Sequence, residues 1–187
     1  MSRIKVWSFL IVSSLLFLLS SCGGSSNKSS SSDISFQVGD LLNEASEWVG
    51  NEIEVEGLCT HICAHGGTKI FLMGDTDAES IRVEANKLGR FTNDCLNQIV
   101  NVKGVLKEER IDEAYLQRWE EELKIQPENH GEGGGCDTEK VARGESVDQD
   151  TLDRITSFRE RIAEEKEKSG KAYLSFYYIE AISYAIQ

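Results

Sequence analysis

From Phe36 to Val49, apolar side chains recur at Val38, Leu41, Leu42, Ala45, Trp48 and Val49. This is the spacing of one helical face, and Gly50 suits its end. The period then drops to two. In Asn51 to Gly57, Ile53 and Val55 alternate with Glu52, Glu54 and Glu56, and Leu58 and Ile62 continue the apolar side if Gly57 is a bulge. The pattern predicts a long, bent strand over about 51–63, strands over 68–73 and 80–85, a loop or short helix over 86–97, and a strand over 98–106. Helical spacing returns at Ile111, Tyr115, Leu116, Trp119 and Leu123, with Asp112 as N-cap. A long glycine-rich loop is expected over 125–146. A further helix, about 150–168, places Leu152, Ile155, Phe158 and Ile162 on one stripe, with Gly170 as its stop. The last stretch, 172–187, is ambiguous by period, but its tyrosines and isoleucines favour a strand.

Five strands with attached helices predict an α+β domain over 35–187 that is mainly β: a small closed or nearly closed barrel with a helical insertion at about 110–170, before the last strand. Residues 37–124, with Val49-Gly-Asn-Glu-Ile-Glu-Val-Glu-Gly57, a hairpin and Val100-Asn-Val-Lys-Gly-Val-Leu106, resemble the OB-fold domains of small bacterial lipoproteins grouped with the anticodon-binding-like OB-folds. That resemblance implies a five-stranded OB-like barrel and says little about activity.

Ahead of this domain, Arg3 and Lys5 precede the apolar run Val6 to Leu19, which ends at Ser20-Ser21-Cys22. The run is short for a bilayer span and has the layout of a secretory signal over 1–21. The junction Leu19-Ser20-Ser21-Cys22 resembles the lipobox of bacterial lipoproteins, which implies acylation of Cys22 and cleavage before it. The alternative is an ordinary signal whose nearby cysteine enters a disulfide. Residues 23–34 are a Ser-rich tether. The expected location is therefore the extracytoplasmic side of the bacterial cell envelope, held to a membrane by the lipid anchor. Gly23 after the cysteine resembles the sorting position that permits transfer to the outer rather than the inner membrane.

Composition narrows the partners. With 20 Lys+Arg against 32 Asp+Glu, the net charge is −12, and the only charges before Cys22 are positive. Such a surface repels phosphate backbones, so no nucleic-acid partner is expected, and no basic, aromatic-studded face is evident.

The chemically dense segment is Cys59-Thr-His61-Ile-Cys63-Ala-His65-Gly-Gly67. On a regular strand positions 59, 61, 63 and 65 share one face. At ~3.3 Å per residue, Cys59 and His65 stand roughly 20 Å apart, too far for one ion. The workable ligands are His61, Cys63 and His65, with the Gly66-Gly67 turn curling His65 back, and Cys59 is the weaker addition. Thiolate and imidazole favour zinc or copper over hard cations. Cys95, His130 or Cys136 supplies a possible additional ligand. The leading expectation is transition-metal binding.

The alternative uses the same cysteines differently. In an oxidising compartment Cys59, Cys63, Cys95 and Cys136 can form two disulfides that staple an interaction module for a partner in an envelope complex. Cys59 and Cys63 would lie ~13 Å apart on an extended strand, so each must pair with Cys95 or Cys136. Glu108 and Glu109, as strand neighbours, point to opposite faces and do not form an acid/base pair. No nucleophile elbow, P-loop or dinucleotide fingerprint occurs, so binding rather than catalysis is expected.

Overall fold

The computed structural model describes residues 34–64, 66–125 and 135–187. The expected signal, Cys22 and tether, and also His65 and His130, lie outside the described residues. Among the described residues six strands and four helices follow in the order β1 (Ser35–Gln37), α1 (Val38–Trp48), β2 (Glu52–Ile62), β3 (Lys69–Met73), β4 (Ser80–Glu84), β5 (Ile99–Asp112), α2 (Glu113–Ile125), α3 (Asp137–Ala142), α4 (Thr151–Ser169) and β6 (Tyr173–Ile186). Single 3₁₀ turns occupy Asn86–Leu88 and Asn93–Cys95.

Strands β2, β3, β4, β6 and β5 form a closed five-stranded barrel. Pairing runs from β2 round to β5, and β5 pairs back onto β2 from Val105 opposite Glu52 to Ile99 opposite Leu58. All these pairings are antiparallel except β4 with β6, which is parallel. The mixed barrel in an α+β chain is OB-like, with the helical insertion before the last strand as the sequence predicts. The ambiguous C-terminal stretch is the strand β6. Strand β1 is an extra, parallel addition to β2 that the helical pattern did not reveal.

The barrel interior is filled by the alternating apolar residues, including Ile53, Val55, Ile70, Leu72, Ile81, Val83, Val100, Val102 and Ile179. Helix α1 covers one end with Val38, Leu41 and Ala45. Closing that end explains Gly57: a Cβ there would come within 2.8 Å of Val38 Cγ2 and 2.9 Å of Met73 O. Gly57 itself pairs regularly with Val100, so the expected bulge is not at this glycine. The irregularity in β2 lies two residues on, between Cys59 and His61.

Strand β5 extends to Asp112, beyond the expected end at 106, because β6 pairs with it as far as Asp112 opposite Tyr173. This extension carries Ile111 into a second apolar cluster with Tyr115, Leu116, Trp119, Ile155 and Phe158. The insertion therefore has a core of its own. Leu152, expected on the buried stripe, is 62% exposed instead. Two caps follow the sequence: Tyr115 N–H donates to Asp112 Oδ1 at 2.8 Å, and Gly170 takes the left-handed conformation at φ +80°; the structure adds a third, with Asp153 N–H donating to Asp150 Oδ1 at 2.9 Å. Among the described residues no helix is long and apolar enough to cross a membrane.

Candidate functional site

The irregularity in β2 decides which side each cysteine faces. Cys59 is opposite Leu72 and His61 is opposite Phe71, so Thr60 is the extra residue of a bulge. One inserted residue inverts the alternation beyond it. Cys59 therefore points into the barrel, where it is 0% exposed, while His61 stands outside beside Phe71, with ring centroids 5.8 Å apart. Ile62 returns to the core. The Cys63 N–H then donates to Lys69 O at 2.9 Å, and Cys63 falls on the outer side with His61. The expectation that positions 59, 61 and 63 share one face is corrected by this bulge.

The Gly66-Gly67 turn closes the segment. Both glycines have positive φ, +86° and +65°, and Gly67 N–H donates to Cys63 O at 3.0 Å. Phe91 N–H donates to Gly67 O at 2.8 Å, which ties the turn to the neighbouring loop. His61, Cys63, Gly66, Gly67, Arg90 and Asn93 are among the residues lining an open groove of about 700 Å³.

The partner of His61 comes from far along the chain. Cys136, the residue before α3, places Sγ 3.6 Å from His61 Nε2. Cys63 lies near enough to act electrostatically on the same thiol. Burial pushes the Cys136 thiol up, and Cys63 and Glu139 add to that shift against two lowering backbone hydrogen bonds. A metal would have to displace that proton, so binding here would release protons.

Helix α3 has only six residues and is held by charge rather than by its own propensity. Its Glu139, 5% exposed, accepts from Lys69 of β3 at 3.0 Å, from Arg82 of β4, and from Arg143 at 3.2 Å. Glu109 of β5 in turn meets Arg143 at 2.7 Å and Arg82 at 3.1 Å. Burial alone would raise the Glu139 pKa, but Arg82, Arg143 and Lys69 together hold it below the usual carboxylate range. The network fastens α3 across the outer side of β3, β4 and β5 and so sets Cys136 against His61. Glu108 is directed elsewhere, to Arg110 and to the Ser175 hydroxyl at 2.6 Å, as its position beside Glu109 on a strand predicts.

The cysteines and histidines of the dense segment thus separate. His61 and Cys136 meet outside the barrel, with Cys63 near enough to act electrostatically on Cys136. Cys59 and Cys95 are both 0% exposed within the barrel. There burial, with Cys95 as neighbour, pushes the Cys59 thiol up to about 11, and burial raises Cys95 as well. Among the described residues no group of three or more His, Cys, Asp or Glu is placed so that it could hold a metal ion. The N···S separation of 3.6 Å nevertheless matches the ~3.5 Å edge of a tetrahedron with Zn–N of about 2.0 Å and Zn–S of about 2.3 Å. The charged network escaped the sequence reading. Its residues are scattered over β3, β4, β5 and α3, and nothing in their local spacing marks them as partners. Comparison with known proteins finds no protein family that matches the chain and no curated protein that matches its sequence.

Proposed function

We propose that this protein is a lipoprotein of the bacterial cell envelope, anchored through Cys22 on the extracytoplasmic side, that binds zinc or copper through His61, Cys63 and Cys136, with His65 as the fourth ligand. The observation that carries the reading is the meeting of His61 Nε2 and Cys136 Sγ at 3.6 Å across 75 residues of chain. Two sulfurs with one or two imidazoles suit a soft or borderline ion, and His65 is proposed as the further imidazole on its sequence position between Cys63 and the Gly66-Gly67 pair. The −12 charge favours cations in the surrounding solvent. Competition of the reduced protein against a chromophoric zinc chelator tests this. His61→Ala, Cys63→Ser and Cys136→Ser should each weaken zinc by more than the about 10- to 100-fold usual for losing an outer-shell partner. Unchanged affinity in all three would make the assignment wrong. Anchoring is tested separately by loss of acyl incorporation in Cys22→Ala.

A second reading rests on the closeness of Cys63 and Cys136. If that pair closes as a disulfide in the envelope, the protein is an interaction module whose outer surface docks on a partner, and it holds no tight metal. Thiol counting on the exported protein separates the two: reactive or metal-protected Cys63 and Cys136 support the metal site, and their absence as thiols supports the module.

A further inference from the structure

We infer that Cys59 and Cys95, both free thiols in this structure, are a covalent cross-linking site that oxidation joins by a disulfide, stapling the Asn93–Cys95 turn to the end of β2. Neither residue takes part in the outer site, so the inference stands independently of metal binding. The backbone already brings the two segments together. Cys59 N–H donates to Gln98 O at 2.9 Å, Asn97 N–H donates to Cys59 O at 2.8 Å, and Gln98 N–H folds back on Cys95 O at 3.1 Å. Both side chains are 0% exposed and belong to the same apolar cluster. Each thiol feels the cost of burial, and the Cys59 thiol also feels Cys95 directly. The hydrogen bonds of the two S–H groups are weak sulfur contacts: Cys59 Sγ reaches the His61 carbonyl at 3.7 Å, and Cys95 is hydrogen-bonded to Thr92. A disulfide replaces both polar S–H groups with one bond and leaves the fold's connectivity unchanged.

The chemistry is ordinary thiol–disulfide exchange with a small or protein disulfide as oxidant. One cysteine thiolate attacks the oxidant, forming a mixed disulfide and releasing one oxidant thiol. The second cysteine thiolate then attacks the protein sulfur of that mixed disulfide, forming the Cys59–Cys95 bond and releasing the other oxidant thiol. The protein loses two electrons, the oxidant disulfide gains them, and the two cysteine protons end on the released thiols. The exchange occurs while the barrel is still closing, since the finished core admits no reagent. The bond would anchor the residue just before the Thr60 bulge, the point where β2 turns His61 outwards.

The test uses the full chain carrying Cys63→Ser and Cys136→Ser, denatured and reduced, then folded in detergent with reduced and oxidised glutathione. After alkylation of remaining thiols and trypsin digestion without reductant, the inference expects peptide 29–69 linked to peptide 91–103. Alkylated Cys59 and Cys95 in those peptides, or a link from either to Cys22, would overturn it. The unsubstituted chain, treated alike, guards against a folding defect in the variant: it should also contain the link between 29–69 and 91–103, and alkylation of Cys95 in it would overturn the inference.

Discussion

Glu139 accepts from Lys69 at 3.0 Å, and this contact ties the helix that begins after Cys136 to the strand that follows the Gly66-Gly67 turn. A carboxylate that is not itself a candidate ligand, though it helps raise the Cys136 pKa, thereby governs where a ligand sits. Glu139→Gln should leave the barrel intact but free α3, lowering zinc affinity by about 10- to 100-fold, as expected for a positioning residue. The barrel's far-ultraviolet circular dichroism should hardly change. Chelator competition and circular dichroism on the same sample check both halves of this expectation.

The same network makes stability depend on acid. The pKa of Glu139 is lowered in the folded protein, so its contribution is present above the ordinary glutamate value of 4.5 and is lost as pH falls through the folded value. The pKa values of Glu108, Glu113 and Glu120 are lowered as well, by hydrogen bonds from Arg110 and Arg159, and act in the same direction. Urea midpoints should therefore be flat near neutrality and fall below about pH 4.5. Glu139→Gln should flatten that fall.

The two apolar clusters predict unequal responses to truncation. Trp119 is 0% exposed in the insertion core, with Phe158 tilted against it at 6.4 Å and the Arg154 guanidinium 4.9 Å from its ring. Trp119→Ala should cost about 3–5 kcal/mol of insertion packing. Hydrogen exchange should then quicken in α2 and α4 while β2 and β3 stay protected. Uniform loss of protection would show that the insertion and the barrel unfold as one.

Gly104 marks the irregularity where β5 crosses β6. A Cβ there would lie 2.5 Å from Glu180 O and 2.5 Å from Ile179 Cγ2. Gly104→Ala should destabilise the barrel by about 1–3 kcal/mol, measured as a lower urea midpoint. Gly50→Ala offers a contrast: its strain comes from φ +84° alone, because no atom lies within 4 Å of a Cβ there.

These residues also show what the sequence reveals and what it hides. Ile53 and Val55 announce their inward face because a buried strand must alternate, and Asp112 and Gly170 announce helix ends because orphan backbone groups need partners. The Thr60 bulge leaves no such mark. Threonine is at home in a regular strand, so alternation carried past it puts Cys59 and His61 on one side when the chain puts them on two. Strand β5 hides its length for a related reason: no apolar alternation marks Lys107 to Arg110, and their strand pairing shows only with β6 and the ion pairs of Glu108 and Glu109. Cys136 is visible as a possible ligand, but its choice over Cys95 is made by α3 and by charges 30 to 70 residues away in the chain.

The most direct test of the central claim is titration of the reduced protein with cobalt(II), whose bonds to thiolate sulfur give near-ultraviolet charge-transfer absorption. Saturation is expected at one equivalent, with reversal by zinc and loss of that absorption in the Cys63→Ser, Cys136→Ser double variant. No thiolate absorption in the reduced wild type, or an undiminished signal in the double variant, would contradict the claim.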